Sequence, residues 1–494
     1  MKRYLLGIDV GTTGTKSLLF CENGELLGHA YRPYGLSTPK VGWSEQNPED
    51  WWNAVVETVR EVCADPEIGK NVAAISLSLQ GGTLAAVDAE GNPVRPAMVW
   101  NDSRCTQEKE EFLKEVGPAD YMYETTGWRL GTALLACEIR WMKNHEPENF
   151  AKTAMFLSVP DYVSLKMTGI PAVDLSDAGI NQLIDLKTGK YDEKLLAFAG
   201  VTEEKLPKLV RSGEVIGNLT AEAAEKLGLS TDCVLVAGAH DQYAVALGAG
   251  ACNAGDILIG SGTCWVVTAI GDEADFESGL AQSIAAVPGK WGSLWSLSSG
   301  GVCLEWLRRN VAIGTNGEQL GFDVLNEEIA KRKAAENGLY FYPFAGQAVE
   351  EKRFSKATFV GLDLSHDRFD MARAIMEGVV FQVIWKMASF KTKPSGEGLK
   401  LAGGASKSPV WSQMVADIAN LPVRVPEVAD LACVGAAVLA GVGSGIYKDA
   451  AEGYSRLAVQ ECVLQPDPEQ AARYAKLFEE YKKIAATLGD AYGL

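Results

Sequence analysis

Within GIDVGTTGTK, residues 7–16, an acid (Asp9) lies in an apolar run, glycines bracket Thr12 and Thr13, and Lys16 follows. These are the residue types of a phosphate cradle, yet the spacing fits neither G-x-x-x-x-G-K-[ST] nor G-x-G-x-x-G. Gly14 is followed by Thr15 rather than lysine, and Gly7, Gly11 and Gly14 stand four and then three residues apart. A tight β-hairpin with no ligand accounts for the same residues, with Asn23-Gly24 turning the chain once more. A second candidate is VLVAGAHDQYAVALGAG, residues 234–250. Here a strand over Cys233–Ala237 delivers His240, Asp241 and Gln242 to the start of a small-residue helix. A carboxylate at a strand's carboxyl end suits a base that faces a cleft. Asp241 as a plain helix cap and His240 as a packing residue fit the same pattern.

The elements that must hold these residues are legible around them. Asn47-Pro48-Glu49-Asp50 is a helix start, with a cap, proline at the first position and acids in the first turn. Trp52, Val55, Val56, Val59, Val62 and Cys63 then recur at helical spacing and predict one buried face. Val72–Leu79 and Leu84–Asp88 read as strands on either side of Gln80-Gly81-Gly82, and Ala133–Lys143 as a helix. A second strand, glycine turn and strand appears in DILIGSGTCWVVTAI, residues 256–270, repeating the order of the opening stretch. The repeat predicts two domains of similar plan, although two short hairpins also resemble each other by chance. In LAGGASKSPVWSQMVADIANLPVRVP a strand runs into Gly403-Gly404 and a helix starts near Ser408-Pro409, a junction that suits an anion or a nucleotide edge. The tail from Pro466 to Leu494 alternates charged and apolar residues and reads as a terminal helix on the surface.

Composition narrows the function classes. A chain of 494 residues exceeds what one core accommodates, so two or three domains are expected. Hydrophobic residues at 47% and charged residues at 22% describe a globular protein, and strands alternating with helices through Cys233–Ala237 predict an α/β sheet. The formal charge of −18 disfavours a nucleic-acid partner. The ten cysteines contain no C-x-x-C pair and the four histidines none at ligand spacing, so neither disulfides nor structural zinc are expected. No apolar run reaches the ~20 residues of a membrane span, and the opening apolar stretch is too short for a signal peptide, so a cytoplasmic location is expected.

Taken together, these stretches resemble the FGGY carbohydrate kinase family from about Tyr4 to Tyr447. ATFVGLDLSHDRFDMARAIMEG, Ala357–Gly378, is the most specific match. WSEQNPEDWW (Trp43–Trp52) and RPAMVWNDSR (Arg95–Arg104) resemble its xylulokinase branch, and the closing segment its autoinducer kinases. The resemblance implies a two-lobed actin-like ATPase fold, ribonuclease H-like, with a central cleft. It implies an N-terminal sugar-binding and phosphate-loop lobe over 1–247, a C-terminal nucleotide lobe over 248–450 and a helical tail over 451–494. Asp241 falls at the position of the catalytic base, and Gln242 at a substrate contact. Thr12, Thr13 and Lys16 match residues that hold the ATP phosphates, Ser261 and Gly262 the opposing phosphate loop, and Gly301, Gly404 and Ser408 the nucleotide site. Gln80, Gly81, Gly82, Trp100, Asn101 and Asp102 fall beside the sugar, although Asp102 also reads as a cap in a turn. Asp9 and Asp241 lie where Mg²⁺ is held. The implied ligands are ATP, Mg²⁺ and a sugar or polyol, with no nucleic acid and no membrane, in a chain that forms a homodimer.

Two departures qualify the match. Xylulokinases carry Gln-Met-His-Gly where this chain has Gln80-Gly81-Gly82-Thr83, which is expected to leave room for a larger or differently oriented substrate. Glu138 stands where the family's N-terminal signature usually has lysine. The expected activity is transfer of the ATP γ-phosphate to a ketose, D-xylulose or a related pentulose. Another polyol, a deoxy-ketose or a signal molecule is the alternative acceptor, and an actin-like ATPase without sugar kinase activity the alternative class.

Overall fold

The computed structural model describes residues 2–314, 317–334, 338–343, 357–428, 430–457 and 459–491. The chain forms two compact units, one of Met1–Asn253, Ile270–Ser293 and Val428–Val459, the other of Ala254–Ala269, Leu294–Glu427 and Gln460–Leu494.

The first unit is built on a six-stranded sheet. Its strands are β1 (Tyr4–Val10), β2 (Gly14–Cys21), β3 (Leu26–Pro33), β4 (Val72–Leu79), β5 (Val215–Asn218) and β6 (Val234–His240), in the order β5-β6-β4-β1-β2-β3. β1 pairs antiparallel with β2 and parallel with β4, which pairs parallel with β6. Three parallel strands therefore end side by side at Val10, Leu79 and His240, so that Gly11–Thr13, Gln80–Gly81 and Asp241 emerge at one sheet edge. Carboxyl ends of adjacent parallel strands are where α/β sheets place their ligands.

Helices cover both faces. Pro48–Val62 forms as the sequence predicts, with Asn47 accepting from Glu49 N and Pro48 in the first turn; it buries Trp51, Trp52, Val55, Val59 and Val62. These side chains join Leu6, Ile8, Leu77 and Leu235 in one hydrophobic core of this unit. Leu431–Gly443 packs beside β1 so closely that a Cβ on Gly7 would stand 1.9 Å from Cys433 O. The first glycine of the opening motif thus serves packing. This contact also brings Val428–Val459 into the first unit, whereas the sequence-based lobes follow chain order.

The second unit repeats the plan. β7 (Ile257–Ser261) pairs antiparallel with β8 (Trp265–Gly271) and parallel with β9 (Leu399–Gly403). β10 (Val423–Pro426) continues in parallel and β11 (Glu461–Leu464) closes the edge in antiparallel sense. The tail forms the helix Pro468–Ala491, but it is more than a surface element: Tyr474 and Tyr481 are fully buried against Tyr340, Tyr342 and Phe381. Residues 492–494 of that tail lie outside the described residues.

Candidate active site

Backbone register sets the first cluster. Asp9 on β1 stands opposite Lys16 on β2 and beside Ser78 on β4. Ser78 Oγ donates to Asp9 Oδ1 over 2.8 Å, and Lys16 Nζ lies 3.6 Å from Asp9 Oδ2. The closer partner of Lys16 is Asp430, at 2.6 Å. Burial pushes the Asp9 carboxyl up to about 7, helped by the charges of Asp430 and Asp241 and opposed by Lys16 and Ser78. Burial alone would lower the Lys16 ammonium, but Asp430 and Asp9 hold it above its usual range. Asp430 also accepts from Cys433 N at the start of the helix Leu431–Gly443. The sequence reading missed it; an aspartate just before a run of small residues, in ADLACVGAAVLAG, is the signal it offered.

The hairpin turn links to the neighbouring loops. Thr12 Oγ1 donates to Gln80 Oε1 over 2.9 Å and accepts from Trp100 Nε1 over 2.9 Å. Thr13 is exposed, with its carbonyl accepting from Tyr34 N. Trp100 keeps 50% of its surface open. Asn101, next to it, is exposed in a turn. Asp102 is buried, and its oxygens accept from Ser44 N, Arg104 N and the Arg104 guanidinium. Its oxygens are occupied by these contacts, and the helix Thr106–Glu115 that follows has Cys105 at its N-cap with no side-chain cap, so Asp102 does not cap that helix.

Asp241 opens the helix Asp241–Gly248 with 38% of its side chain exposed, next to His240, whose Nε2 lies 3.3 Å from Asp241 Oδ1. Gln242 is half-buried on the next position. The space expected from Gly81 and Gly82 is not vacant. A Cβ on Gly81 would stand 2.6 Å from both Asp177 Oδ1 and His240 Cδ2, and one on Gly82 would meet Leu134 at 3.1 Å. The glycines admit side chains from other elements, which the sequence could not show because they lie far away in the chain. Asp177 is buried, and burial together with Asp174, Asp161 and Asp241 holds its carboxyl well above the usual range. Glu138 is likewise buried, not at the surface, with neither oxygen hydrogen-bonded among the described residues.

The second unit gathers its own predicted residues. Ser261 Oγ donates to Ala402 O over 2.6 Å and accepts from Ala405 N, while Gly404 N donates to Ser261 O over 2.7 Å. Gly301 N donates to Gly262 O over 3.1 Å. Ser408 caps the helix Pro409–Ala419 by accepting from Trp411 N, and its Oγ donates to Asn326 Oδ1 over 2.7 Å. Ser261, Gly262, Gly301 and Gly404 thus form one Gly/Ser-lined turn cluster, with Ser408 at the adjacent helix start.

Asp9 on β1 and Asp241 just past β6 are hard oxygen donors, near enough that the Asp241 charge raises the Asp9 carboxyl. That donor set fits Mg²⁺, which commonly takes one or two carboxylates and completes its shell with water and substrate phosphates.

Paired phosphate-type turns at the ends of two similarly built sheets, with an open carboxylate beside one of them, define a phosphotransferase of the actin-like two-domain class. Residues 4–248 match the N-terminal domain and residues 256–444 the C-terminal domain of the FGGY family of carbohydrate kinases, and the chain belongs to that family. It is an ATP-dependent sugar kinase. It is 30% identical to the xylulose kinase of Bacillus subtilis over 98% of this chain and 96% of that one. It is 28% identical to the gluconokinase of the same organism, over 100% and 97% of the two chains. The crystal structure of xylulose kinase from Rhodospirillum rubrum superposes with a TM-score of 0.89 at 28% identity, covering both chains fully. No helix of the described residues is long and apolar enough to cross a membrane.

Proposed function

We propose that the protein transfers the γ-phosphate of ATP to a hydroxyl of D-xylulose or a related pentulose, with Asp241 as the base. The observation that carries this reading is the open Asp241 carboxylate at the end of β6, beside the Asp9–Lys16 pair and Gln80. Asp241 takes the proton of the acceptor hydroxyl, that oxygen bonds to the γ-phosphorus, and the bond to the bridging oxygen breaks to release ADP. Thr13, Lys16 and the backbone of Gly11–Gly14 hold phosphate on the first unit, and Ser261, Gly262, Gly301, Gly404 and Ser408 serve the nucleotide on the second. Asp9 and Asp241 would hold Mg²⁺, which supplies charge neutralisation on the phosphates when bound. Trp100, Gln80 and Gln242 face the sugar. In this reading the first unit carries the acceptor and the first phosphate loop and the second unit the nucleotide, with the boundaries of the compact units in place of 1–247, 248–450 and 451–494. Ten free cysteines suit the reducing cytoplasm.

A different polyol or a deoxy-ketose is the second reading, favoured by His240 and Asp177 occupying the side-chain space at Gly81. Initial rates of ADP formation with D-xylulose, L-xylulose, D-ribulose, a deoxy-ketose, glycerol and gluconate decide between them. Turnover of a pentulose with the highest kcat/KM supports the first reading, and preference for any other acceptor overturns it.

A further inference from the structure

We infer that Gln46, a residue without an assigned role, is a positioning residue for phosphate transfer, the hub that holds the acceptor side and the first phosphate loop in one geometry. The inference rests on the sugar kinase reading above. Gln46 is buried, at 3% exposure, two residues before the helix Pro48–Val62. Its Oε1 accepts from Trp51 Nε1 over 3.2 Å and from Gln80 Nε2 over 3.0 Å. Its Nε2 donates to Thr12 O over 2.7 Å and to Gly35 O over 3.4 Å. Since Thr12 Oγ1 in turn donates to Gln80 Oε1, the residues Gln46, Gln80 and Thr12 close a ring of hydrogen bonds. Trp51, fully buried, anchors one side of the ring, and the half-exposed Trp100 hangs from the other through Thr12.

The polarity of the ring is forced from its ends. An indole N–H only donates and a carbonyl only accepts, so Trp51 fixes Gln46 Oε1 on its side and Thr12 O fixes Gln46 Nε2 on the other. Gln80 must then donate to Gln46 and accept from Thr12. Trp100 can only donate to the Thr12 hydroxyl, so the Thr12 proton is committed to Gln80. Thr12 therefore acts as a link between acceptor side and loop, and phosphate is left to the other groups of the turn. An error of about 1 Å at such a link costs on the order of 100-fold in rate, which is the scale on which this ring matters.

The test uses the full chain, with kcat and both KM values measured on ATP and the best acceptor of the panel, alongside thermal unfolding. Gln46→Leu, which removes the amide oxygen and nitrogen together, is expected to lower kcat about 10- to 100-fold in folded protein. Trp100→Phe, which keeps the ring and removes its N–H, is expected to raise the KM for the acceptor. Because both act through Thr12, the double variant should lose less in kcat/KM than the product of the single losses. Thr12→Ser, which keeps the hydroxyl, should retain most activity, and Thr12→Val should not. Unchanged kcat in Gln46→Leu, or losses that multiply independently, overturns the inference while leaving the kinase reading in place. If Gln46→Leu does not fold, Trp51→Phe replaces it, and an unchanged kcat/KM there is equally decisive against. Absence of phosphate transfer to every acceptor by the unaltered chain defeats the kinase reading, and the inference with it.

Discussion

Lys16 Nζ stands 2.6 Å from Asp430 Oδ2, joining the second strand of the chain to a helix start near its other end. Asp9 completes the group at 3.6 Å from the same ammonium. Burial first, and then the Asp430 charge, keep the Asp9 carboxyl titratable near neutrality against the opposing pull of Lys16, which the two acids share.

That sharing predicts a pH profile. With the Asp9 carboxyl at about 7 in the free protein, kcat/KM for ATP should fall as pH drops through that value, since a protonated Asp9 cannot hold a cation. Asp430→Asn removes a charge that raises Asp9 and returns Lys16 to it. The acid limb should then move to lower pH, and a limb that stays in place counts against the arrangement.

Removing the base should separate folding from turnover. Asp241→Asn keeps the shape of the side chain at the start of its helix, so the unfolding midpoint should shift by no more than a few degrees. Sugar phosphorylation should drop by about 100- to 10,000-fold, the usual worth of a positioned general base. Near-normal kcat in this variant would exclude Asp241 from the role.

Adding a methyl at Gly81 should cost more than its size suggests. The new Cβ would sit 2.6 Å from His240 Cδ2 and Asp177 Oδ1, so the imidazole beside Asp241 must move. We expect a loss of about 1–3 kcal/mol in stability, measured by denaturant unfolding, and a fall in kcat. His240→Ala opens that space, and Gly81→Ala in its background should be markedly better tolerated; equal cost in both backgrounds would show that the crowding is elsewhere.

Glu138 offers a prediction about stability alone. Burial raises its carboxyl well above the usual range, as does the Asp102 charge, with Arg104 and Arg95 opposing. The folded state therefore binds this proton more tightly than the unfolded chain. Stability from this group is complete below the unfolded value of 4.5 and is lost as pH rises toward the folded one. Glu138→Gln removes the charge, so it should flatten the fall in unfolding free energy above pH 4.5 and gain relative stability as pH rises. The same pH slope in both proteins would refute the assignment.

Local signals made much of the fold readable from the chain. Asn47-Pro48 announced a helix start, apolar runs broken by glycine announced both hairpins, and Ser408-Pro409 announced the helix after β9. Each depends on neighbours within a few residues, where backbone propensity and capping act. The family match likewise placed Asp241, Lys16 and Ser261 by short motifs.

Long-range packing decided the rest. Asp430 reaches Lys16 only because Leu431–Gly443 lies against Gly7, and Asp177 and His240 fill the space beside Gly81 only because separate elements converge there. Asp102 finds its partners in Arg104 and Ser44 once the chain folds. Gln46 gains its place from Trp51 on one side and Gln80 on the other. Sequence determined the residue types and the local elements, since these follow from contacts within a few positions; partners hundreds of residues apart were fixed by the register of the sheet and the close packing of helices upon it.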